Sequence, residues 1–473
     1  MPERRVAAGA GSGARLRTPA RAALVVALAG GLVPLVALAP AAPVWAAAST
    51  TSSTTKSTAH HRRHRHSTLP PPPAGPPVEL VETRPVETTL GNPTLPSATE
   101  TWISLIHSAR HTIDLEEFYL STWPEEPIDG VLGALGSAVQ RGVKIRLLLD
   151  ARMYRTYPRV ADSLAKVPGW SVRLVPWARI AGGVQHSKYF VVDRTTSFVG
   201  SQNLDWRALK HIHELGVRIR DPRVATELEH VFEMDWAEGY PVDGEPDTTR
   251  VVRASAVAHA PGMLPFRIVQ SPGDTVLTWI GWTPRKFCPD TTWWDRDRII
   301  AMLDAARRTV VVQSLTYGTE GYGEHDDALD QALRRAAARG VRVRLIISDW
   351  EMGSRGMGDL QALSKVPNVE VKLGTVPPWS GGYIPFGRVE HCKYAVVDSL
   401  WTWVGTSNWE PSYFTSNRNI GITMKNRPIA LSASRIFEAS WVAPGAHPIA
   451  PDSTYAPKIR GDEPPPGMKK YGG

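Results

Sequence analysis

Cysteine is scarce in this sequence, and most of the chain carries no excess of charge of either sign. Two cysteines, Cys288 and Cys392, occur among 473 residues, which excludes a disulfide-rich scaffold. We expect two free thiols, and one bridge between them is the alternative. The net charge of +8 arises within residues 1–66, which hold nine Lys or Arg and one acidic residue, whereas the rest holds 45 of each sign. Because residues 67–473 carry no net charge, their composition gives no reason to expect a protein that binds polyanions. A local basic groove could still bind one.

The N-terminus is the most biased segment of the chain. Five arginines are followed by an apolar run from Ala22 to Ala39 and by a small-residue stretch that ends near Ala46. This order predicts a secretory signal peptide over 1–46, and therefore a secreted or periplasmic protein. An uncleaved membrane anchor is the alternative, and prolines such as Pro34 and Pro40 argue against it. Residues 47–90 are rich in Ser, Thr, Pro and His, which predicts a disordered linker.

Two segments of the remaining chain are alike, which indicates an internal repeat. A helix-like stretch that ends at Arg-Gly precedes a strand rich in β-branched residues at 140–147 and again at 338–345. Strands that alternate with helices predict the α/β class. We therefore predict two tandem α/β sandwich repeats at 91–245 and 290–445, a connection at 246–289 and a Pro/Gly-rich tail at 446–473.

The pattern H-x-K-x4-D occurs once in each repeat. Its members are His186, Lys188 and Asp193 in the first repeat, and His391, Lys393 and Asp398 in the second. Residues i and i+2 of a strand share a face, so each histidine points the same way as its lysine. An imidazole beside an ammonium group indicates a phosphate site. The two aspartates stand at an odd offset, and we expect them to tie strand ends to neighbouring backbone.

A second pattern, G-[ST]-x-N, follows each first pattern at the same distance. Asn203 follows His186 by 17 residues, and Asn408 follows His391 by 17. The hydroxyls and amides of this pattern are expected to bind a non-bridging phosphate oxygen. They belong to Ser201, Asn203, Thr406 and Asn408. The repeats differ 28 residues after each histidine, where the first has Glu214 and the second has Asn419.

The two patterns together, present twice in one chain, resemble the phospholipase D superfamily over residues 98–443. Segments such as 203–207 and 405–409 are most similar to the branch that contains the endolysosomal phospholipase D-like exonucleases. The resemblance implies two repeats related by a pseudo-two-fold axis, with one active site between them. It also implies cleavage through a covalent phosphohistidine that needs no cofactor and no metal ion.

The resemblance also assigns roles to the two histidines. It places the nucleophile in the first repeat, so we assign His186 as the nucleophile and His391 as the general acid, and the reverse assignment stays open. A carboxylate on the far ring nitrogen would stabilise positive charge on a phosphohistidine, and we expect Glu214 to hold His186 in this way. The phosphate oxygens are expected to be surrounded by Lys188, Lys393, Asn203 and Asn408.

Aromatic residues precede the second histidine on a loop rich in Pro and Gly. Trp379, Tyr383 and Phe386 lie five to twelve residues before His391. We expect this loop to overhang the site, either as a platform for a nucleobase or as a lip that contacts lipid.

These features predict a metal-independent phosphodiesterase. Its substrate is expected to be a phospholipid headgroup, with peripheral membrane contact, and the alternatives are single-stranded nucleic acid or transfer to an alcohol as in a phosphatidyl transferase. A metal-dependent nuclease is disfavoured because no cluster of acidic ligands accompanies the motifs. His211 and His213 are expected at the surface and not in the site. The oligomeric state does not follow from the sequence.

Overall fold

The computed structural model describes residues 75–247, 264–321 and 323–472. The predicted signal peptide at 1–46 and most of the predicted linker lie outside the described residues. Within the described ranges, no helix combines the length and the apolarity that a membrane crossing needs.

The first repeat forms one mixed sheet of eight strands and a separate pair of two-residue strands. Its strands are β1 (Val78–Thr83), β2 (Thr112–Glu117), β3 (Leu120–Ser121), β4 (Lys144–Asp150), β5 (Trp170–Val175), β6 (Tyr189–Val192), β7 (Thr196–Gly200), β8 (Leu204–Asp205), β9 (Glu214–Ile219) and β10 (Tyr240–Pro241). Its helices are α1 (Ala98–Ser108), α2 (Pro127–Gln140), α3 (Ala151–Tyr154), α4 (Pro158–Ala165), α5 (Trp177–Ala181) and α6 (Pro222–Glu238).

The second repeat forms a sheet of nine strands and another short pair. Its strands are β11 (Phe266–Ser271), β12 (Asp274–Trp282), β13 (Thr309–Ser314), β14 (Glu320–Gly321), β15 (Glu324–His325), β16 (Arg342–Ser348), β17 (Val369–Gly374), β18 (Tyr394–Val397), β19 (Trp401–Gly405), β20 (Ile420–Lys425) and β21 (Ala446–Pro448). Its α-helices are α7 (Asp295–Asp304), α8 (Ala328–Ala338), α9 (Gly356–Ser364), α10 (Pro411–Thr415) and α11 (Arg427–Val442).

The two sheets have the same strand order. The first runs β1-β9-β7-β6-β2-β4-β5-β10, and the second runs β12-β20-β19-β18-β13-β16-β17-β21 with β11 added beyond β12. In each sheet three strands joined through helices are parallel, namely β2, β4 and β5 in the first and β13, β16 and β17 in the second. The match confirms the predicted tandem α/β repeats.

Glycine ends the long helix of each parallel unit, as the Arg-Gly pattern predicts. Gly142, which follows α2, has a φ of 94°, and Gly340, which follows α8, has a φ of 83°. A residue with a side chain is strained in this conformation, whereas glycine is not. The turn sends the chain directly into β4 or β16, so each helix packs back on the sheet that it joins.

The first sheet is covered on both faces. Trp102 of α1 packs edge-on against Phe190 and Phe198, with ring centroids 5.7 and 5.4 Å apart. The neighbour of Phe190, Tyr189, points to the opposite face, where its hydroxyl contacts the backbone carbonyl of Leu228 in α6. Burial on both faces explains why the strands that carry the site are nearly continuous apolar runs.

Two predicted boundaries are wrong. The first sheet begins inside the predicted disordered linker, because β1 pairs with β9 along all six of its residues. The second sheet begins inside the predicted connection at 246–289, which contains β11 and β12, and β12 pairs with β20. Each of these strands finds its partner more than 130 residues further along the chain, a pairing that local composition does not reveal.

Reciprocal contacts relate the repeats by a pseudo-two-fold axis, as predicted. The amide of His186 donates to the carbonyl of Arg418 at 2.9 Å, and the amide of His391 donates to the carbonyl of His213 at 3.0 Å. Arg418 and His213 occupy equivalent positions, 27 residues after each motif histidine. One hydrophobic core runs through both repeats, with Leu215 of β9 and Ile420 of β20 among its members.

Candidate active site

The motif histidines lie at the junction between the repeats. His186 and His391 are only 6 % and 8 % exposed. Both motifs stand directly before strands and not inside them as predicted, because β6 begins at Tyr189 and β18 at Tyr394. The chemistry-bearing side chains are therefore held at the ends of rigid strands.

Each motif lysine is fixed beside its own histidine. Lys188 and Lys393 are fully buried, and their ammonium groups donate to the backbone carbonyls of His186 and His391 at 2.5 and 2.6 Å. Burial lowers the pKa of both lysines, and repulsion from Lys393 lowers that of Lys188 further. The pKa of Lys393 falls to about 7. An anion bound here would relieve both effects, which makes the pair a candidate anion site.

Each motif histidine is oriented by a residue of the other repeat. Nδ1 of His391 is hydrogen bonded to Oε2 of Glu214 at 2.7 Å, and Nδ1 of His186 is hydrogen bonded to Oδ1 of Asn419 at 3.0 Å. The prediction that Glu214 holds His186 is therefore wrong. Glu214 opens β9 and Asn419 immediately precedes β20, and both project across the junction. Spacing within one repeat cannot reveal that exchange of partners.

The hydroxyls of the G-[ST]-x-N pattern support these orienting residues. Oγ1 of Thr406 donates to Oδ1 of Asn419 at 2.9 Å, and Oγ of Ser201 donates to the carbonyl of Leu215, the residue after Glu214, at 3.3 Å. Each hydroxyl also accepts a hydrogen bond of 3.0 Å from a backbone amide of β9 or β20. Both hydroxyls thus have partners within the protein, at or next to the residues that contact the motif histidines, and their contact with a phosphate oxygen stays a prediction.

Asn203 and Asn408 remain candidates for contact with the phosphate. Both are buried, and in the part of the chain that the structure describes, Oδ1 of each has no hydrogen-bond partner. An amide oxygen only accepts hydrogen bonds, so the amide nitrogen of each side chain is the atom that would donate to a phosphate oxygen. Contact with the phosphate oxygens stays a prediction.

The two motif aspartates have the structural role expected of them. Asp193 accepts hydrogen bonds of 2.7–2.8 Å from the amides of residues 110–112. Asp398 accepts bonds of 2.8–2.9 Å from the amides of residues 307–309. Both adopt a left-handed backbone, with φ of 51° and 53°, a conformation that Asp tolerates better than most residues. They anchor the start of β2 and β13.

Both motif histidines are neutral in the free site at neutral pH. Burial lowers the pKa of each well below its usual value, and the ammonium groups of Lys188 and Lys393 lower it further. Burial also raises the pKa of Glu214, and Lys393 opposes that rise. A phosphodiester carries one negative charge, so between the lysines it would offset part of the positive charge that acts on the imidazoles. Its binding would therefore favour protonation of one histidine.

His211 and His213 are fully buried, so their expected place at the surface is wrong. Nδ1 of His213 is 2.7 Å from Oε2 of Glu390, and its Nε2 is 2.9 Å from Oε1 of Glu82. Burial alone would lower the pKa of His213, but the Glu390 carboxylate beside it raises the pKa well above its usual value. The imidazole therefore joins the repeats as a buried cation between two carboxylates.

Arg418 plays the same part on the other side of the pseudo-two-fold axis. Its guanidinium group donates to both carboxylate oxygens of Asp235 at 2.6 Å, and it is fully buried. The residue that follows Arg418 is Asn419, and the residue that follows His213 is Glu214. Each buried cation thus fixes the backbone beside a residue that orients a motif histidine.

The aromatic loop before the second motif is held by the C-terminal tail. The Tyr383 amide donates to the Lys469 carbonyl at 2.7 Å, and the Tyr471 amide donates to the Tyr383 carbonyl at 2.8 Å. The ring of Trp379 packs against His211 and Tyr471, with centroids 4.6 and 4.9 Å apart. Among the three predicted substrate-binding residues only Phe386 is exposed. Their contact with substrate stays a prediction.

Three residues beside the site were not singled out from the sequence. Phe118 and Tyr413 have ring centroids 4.8 and 5.0 Å from that of His186. Glu117 is buried, and its charge acts on Lys188. The sequence does mark Glu117, because two adjacent acidic residues, Glu116 and Glu117, end a buried strand. The spacing within one repeat could not bring Phe118 and Tyr413 together, because each ring comes from a different repeat.

Both cysteines are free thiols, as predicted. Cys392 is buried, and Cys288 is half-buried. Burial raises the pKa of each thiol to about 12, which keeps both protonated and unreactive at neutral pH.

Paired His-Lys motifs at the junction of two like α/β repeats are features of a phosphoryl-transfer enzyme whose site is shared between repeats. The family model described as "Cardiolipin synthase, PLD-like domain" matches residues 102–236 and 299–441. The chain belongs to the phospholipase D superfamily, and it is an enzyme of the phosphodiesterase class.

Named relatives match most of the chain. Phospholipase D Z of Dictyostelium discoideum is 28 % identical over 371 residues, which cover 75 % of this chain and 86 % of the relative. The 5'-3' exonuclease PLD4 of Mus musculus is 30 % identical over 388 residues, which cover 74 % of this chain and 75 % of the relative. The 5'-3' exonuclease PLD3 of Rattus norvegicus is 30 % identical over 403 residues, with coverage of 78 % and 80 %.

A solved structure shares the fold. It is the phosphatidylserine synthase of Haemophilus influenzae Rd KW20, with a TM-score of 0.57 and 13 % identity, over 74 % of this chain and 85 % of that one. The predicted superfamily and branch are confirmed by these similarities.

Proposed function

We propose that this enzyme cleaves single-stranded nucleic acid through a covalent phosphohistidine, with His391 as the nucleophile and His186 as the general acid. The observation that carries the role assignment is the unequal support of the two imidazoles. Glu214, a carboxylate, contacts His391, whereas Asn419, an amide, contacts His186. This reverses the assignment made from the sequence, whose physical argument depended on Glu214 contacting His186.

In the first step, the Nε2 lone pair of His391 attacks phosphorus and forms a nitrogen–phosphorus bond. The bond from phosphorus to the departing oxygen breaks, and that oxygen takes the Nε2 proton of His186. The phosphorylated imidazole keeps its Nδ1 proton and gains positive charge, which the Glu214 carboxylate stabilises. The amide of Asn419 orients His186 without adding charge, so His186 gives up its proton more readily.

In the second step, water replaces the departed alcohol. His186, now neutral, takes a proton from the water, whose oxygen attacks phosphorus. The nitrogen–phosphorus bond breaks, and its electron pair returns to His391. The products are an alcohol and a phosphate monoester, and both histidines regain their initial protonation.

Positive charge at the phosphate comes from the protein in this proposal. Lys188 and Lys393 are buried beside the two imidazoles, where an ammonium group acts more strongly on an anion than it would in water. The same ammonium groups would repel a divalent cation. This supports cleavage that is independent of metal ions.

The choice of nucleic acid rests on two supports. Relatives with about 30 % identity are named as 5'-3' exonucleases, and half-buried aromatic rings stand beside His186. Base stacking on such rings is the usual way in which proteins hold single strands. Among the described residues, large apolar side chains with substantial exposure are few, and the loop expected to form a lipid-contacting lip is tied to the C-terminal tail.

Phospholipid cleavage, the substrate preferred from the sequence, is the second candidate. It is favoured by the similarity to a relative named as a phospholipase D. Transfer of the phosphoryl group to an alcohol would require only that an alcohol replace water in the second step.

A substrate panel tests the proposal. Purified protein is given bis(p-nitrophenyl) phosphate, a 5'-hydroxyl single-stranded oligonucleotide, and vesicles of phosphatidylcholine or phosphatidylglycerol, all in excess EDTA, with His391→Ala as the blank. We expect cleavage of the chromogenic diester and of the oligonucleotide. Cleavage of the vesicles without the oligonucleotide would overturn the substrate assignment, and loss of all activity in EDTA would overturn metal independence.

We also propose that residues 1–46 direct export and are then removed. Their arginines, apolar run and small-residue end support this. Mass spectrometry of the mature N-terminus should find a chain that begins near residue 47 outside the cytoplasm. A full-length N-terminus in the membrane fraction would contradict the proposal.

A further inference from the structure

Aromatic rings form a continuous series that starts at His186. Phe118 and Tyr413 flank the imidazole, with centroids 4.8 and 5.0 Å away and interplanar angles of 63° and 80°. Tyr119 lies 5.6 Å from Phe118, and Tyr157 stacks on Tyr119 at 5.1 Å with an angle of 27°. We call Tyr413, Phe118, Tyr119 and Tyr157 the aromatic row. All four residues are half-buried, so the row is partly open to solvent.

The aromatic row is present on one side of the site only. Strands β2 and β13 are equivalent in the two repeats. Leu315 stands at the same distance from the start of β13 as Phe118 does from the start of β2. Counted from Asn203 and Asn408, Ala208 occupies the position of Tyr413. Both ring pairs that involve a motif histidine in the described part of the chain involve His186. The pseudo-two-fold symmetry is therefore broken where a substrate would extend from the phosphate.

The far end of the row is rigid. Arg207 donates to the Tyr157 hydroxyl at 3.3 Å, and its guanidinium group also donates to both carboxylate oxygens of Asp205. It also donates to the Pro385 carbonyl at 3.1 Å. The rings therefore need little reordering to accept a flat ligand, which lowers the entropic cost of binding.

The near end of the row disfavours a cationic ligand. Nζ of Lys188 lies 4.9 Å from the centroid of Phe118, so an ammonium group already occupies the electron-rich surroundings of that ring. A choline or ethanolamine headgroup would meet this charge. A neutral planar group would not, because it stacks through dispersion and its own π system.

We propose that the aromatic row binds the nucleobase of the departing nucleoside. The inference rests on the proposed function, in which His186 protonates the departing oxygen. In-line displacement puts the attacking and departing atoms on opposite sides of phosphorus. The departing nucleoside therefore lies on the side of His186, where the row begins, and the retained nucleoside lies outside it.

Dinucleotides with a single base removed test this inference. Three DNA dinucleotides are compared. One carries thymine on both sugars, one lacks the base on the first sugar, and one lacks the base on the second sugar. The nucleoside recovered without phosphate identifies the departing side. Removal of the base on that side should lower kcat/KM about tenfold, the usual scale of one base–aromatic stack. Removal on the retained side should have a much smaller effect.

Variants then connect the base effect to the row. Phe118→Leu and Tyr413→Leu keep apolar bulk and remove the rings, and they should bring the ratio between the intact and abasic substrates close to one. A general loss of catalytic activity would lower kcat/KM for the intact and the abasic substrate by the same factor, so it would leave their ratio unchanged. Trp401→Leu is the matched control, since Trp401 opens β19 at the end opposite the motif, and it should leave the ratio as in the wild type.

The outcomes separate this inference from the proposed function. A ratio that both ring variants leave unchanged, or a base effect confined to the retained side, would overturn the inference while nucleic-acid cleavage stands. A wild-type enzyme that cleaves bis(p-nitrophenyl) phosphate but no dinucleotide or oligonucleotide would overturn the proposed substrate, and this inference with it.

Discussion

Glu214 of the first repeat is hydrogen bonded to His391 of the second at 2.7 Å, while the equivalent Asn419 is bonded to His186 of the first at 3.0 Å. The exchange means that neither repeat contains a complete site. It also gives the two imidazoles different partners, one charged and one neutral. The division of labour between nucleophile and acid follows from this difference in the proposed mechanism.

Replacement of Glu214 by Gln should slow the enzyme and change its pH profile. The variant keeps a hydrogen-bonding side chain but removes the charge that stabilises a phosphorylated His391, so we expect kcat to fall on the order of 100-fold. Loss of the carboxylate also lowers the pKa of His391, which must be neutral to attack. The acidic limb of kcat/KM should therefore move to lower pH, whereas a purely structural role would leave that limb in place.

The matched change on the other histidine is Asn419→Asp. A carboxylate beside His186 should raise the pKa of that imidazole and make it a weaker acid. Substrates with a poor leaving group should be slowed more than p-nitrophenyl esters, and the alkaline limb should move to higher pH. Equal slowing of both kinds of substrate would indicate that His186 does not protonate the departing oxygen.

Anion binding should weaken as the pH rises through 7. The pKa of Lys393 is about 7, and that of Lys188 is also lowered. Both groups carry charge below their pKa and lose it above, so the inhibition constant of sulfate, which does not titrate in this range, should increase from pH 6 to pH 8. In Lys393→Gln, sulfate should bind weakly and with less dependence on pH. A constant value in the wild type would contradict the charge state proposed here.

His213 should stabilise the contact between the repeats. His213→Gln leaves Glu82 and Glu390 buried without the cation between them, and we expect the free energy of unfolding to fall by about 3 kcal/mol. Because the pKa of His213 is raised in the folded state, its contribution should be complete below the unfolded pKa of about 6.5 and should disappear as the pH rises through the folded value. Denaturant titrations at several pH values measure this.

The exposed His111 provides the control for that experiment. Its side chain lies at the surface, so His111→Gln should leave the free energy of unfolding within about 0.5 kcal/mol of the wild type. A His213 effect as small as this one would show that the buried cluster does not hold the repeats together.

Changes in the loop before His391 should affect stability and not selectivity. Trp379 and Tyr383 contact the C-terminal tail, so Trp379→Ala and Tyr383→Ala should lower the melting temperature. They should also reduce activity on an oligonucleotide and on bis(p-nitrophenyl) phosphate by the same factor. Selective loss on the oligonucleotide would restore the loop as a substrate platform.

The repeat, the motifs and the role of the aspartates could be predicted because each is encoded locally. The Arg-Gly helix ends depend on residues that are neighbours in the sequence. Asp193 and Asp398 bind backbone at the adjacent strand, and their offset within the motif was enough to exclude them from the phosphate site.

Residues that act across the junction could not be assigned from the sequence. Glu214 and His391 are 177 residues apart, as are His213 and Glu390. The equal spacing of the histidine and the orienting residue in both repeats is compatible with a contact inside one repeat or between the two. Only the packing of β9 against the second repeat decides between these two arrangements. The sequence around His213 gives no sign of its burial. Its carboxylate partners are distant in the sequence, since Glu82 lies in β1 and Glu390 immediately precedes His391.

The most direct test of the central claim is to locate the phosphoryl group on the protein. His186→Ala is mixed with a p-nitrophenyl diester, whose leaving group needs no acid, quenched, digested and analysed by mass spectrometry under conditions that preserve phosphohistidine. We predict that the label accumulates on His391, since the variant also lacks the base that activates water, and that His391→Ala never labels. Label on His186 in His391→Ala, with none in His186→Ala, would contradict the account.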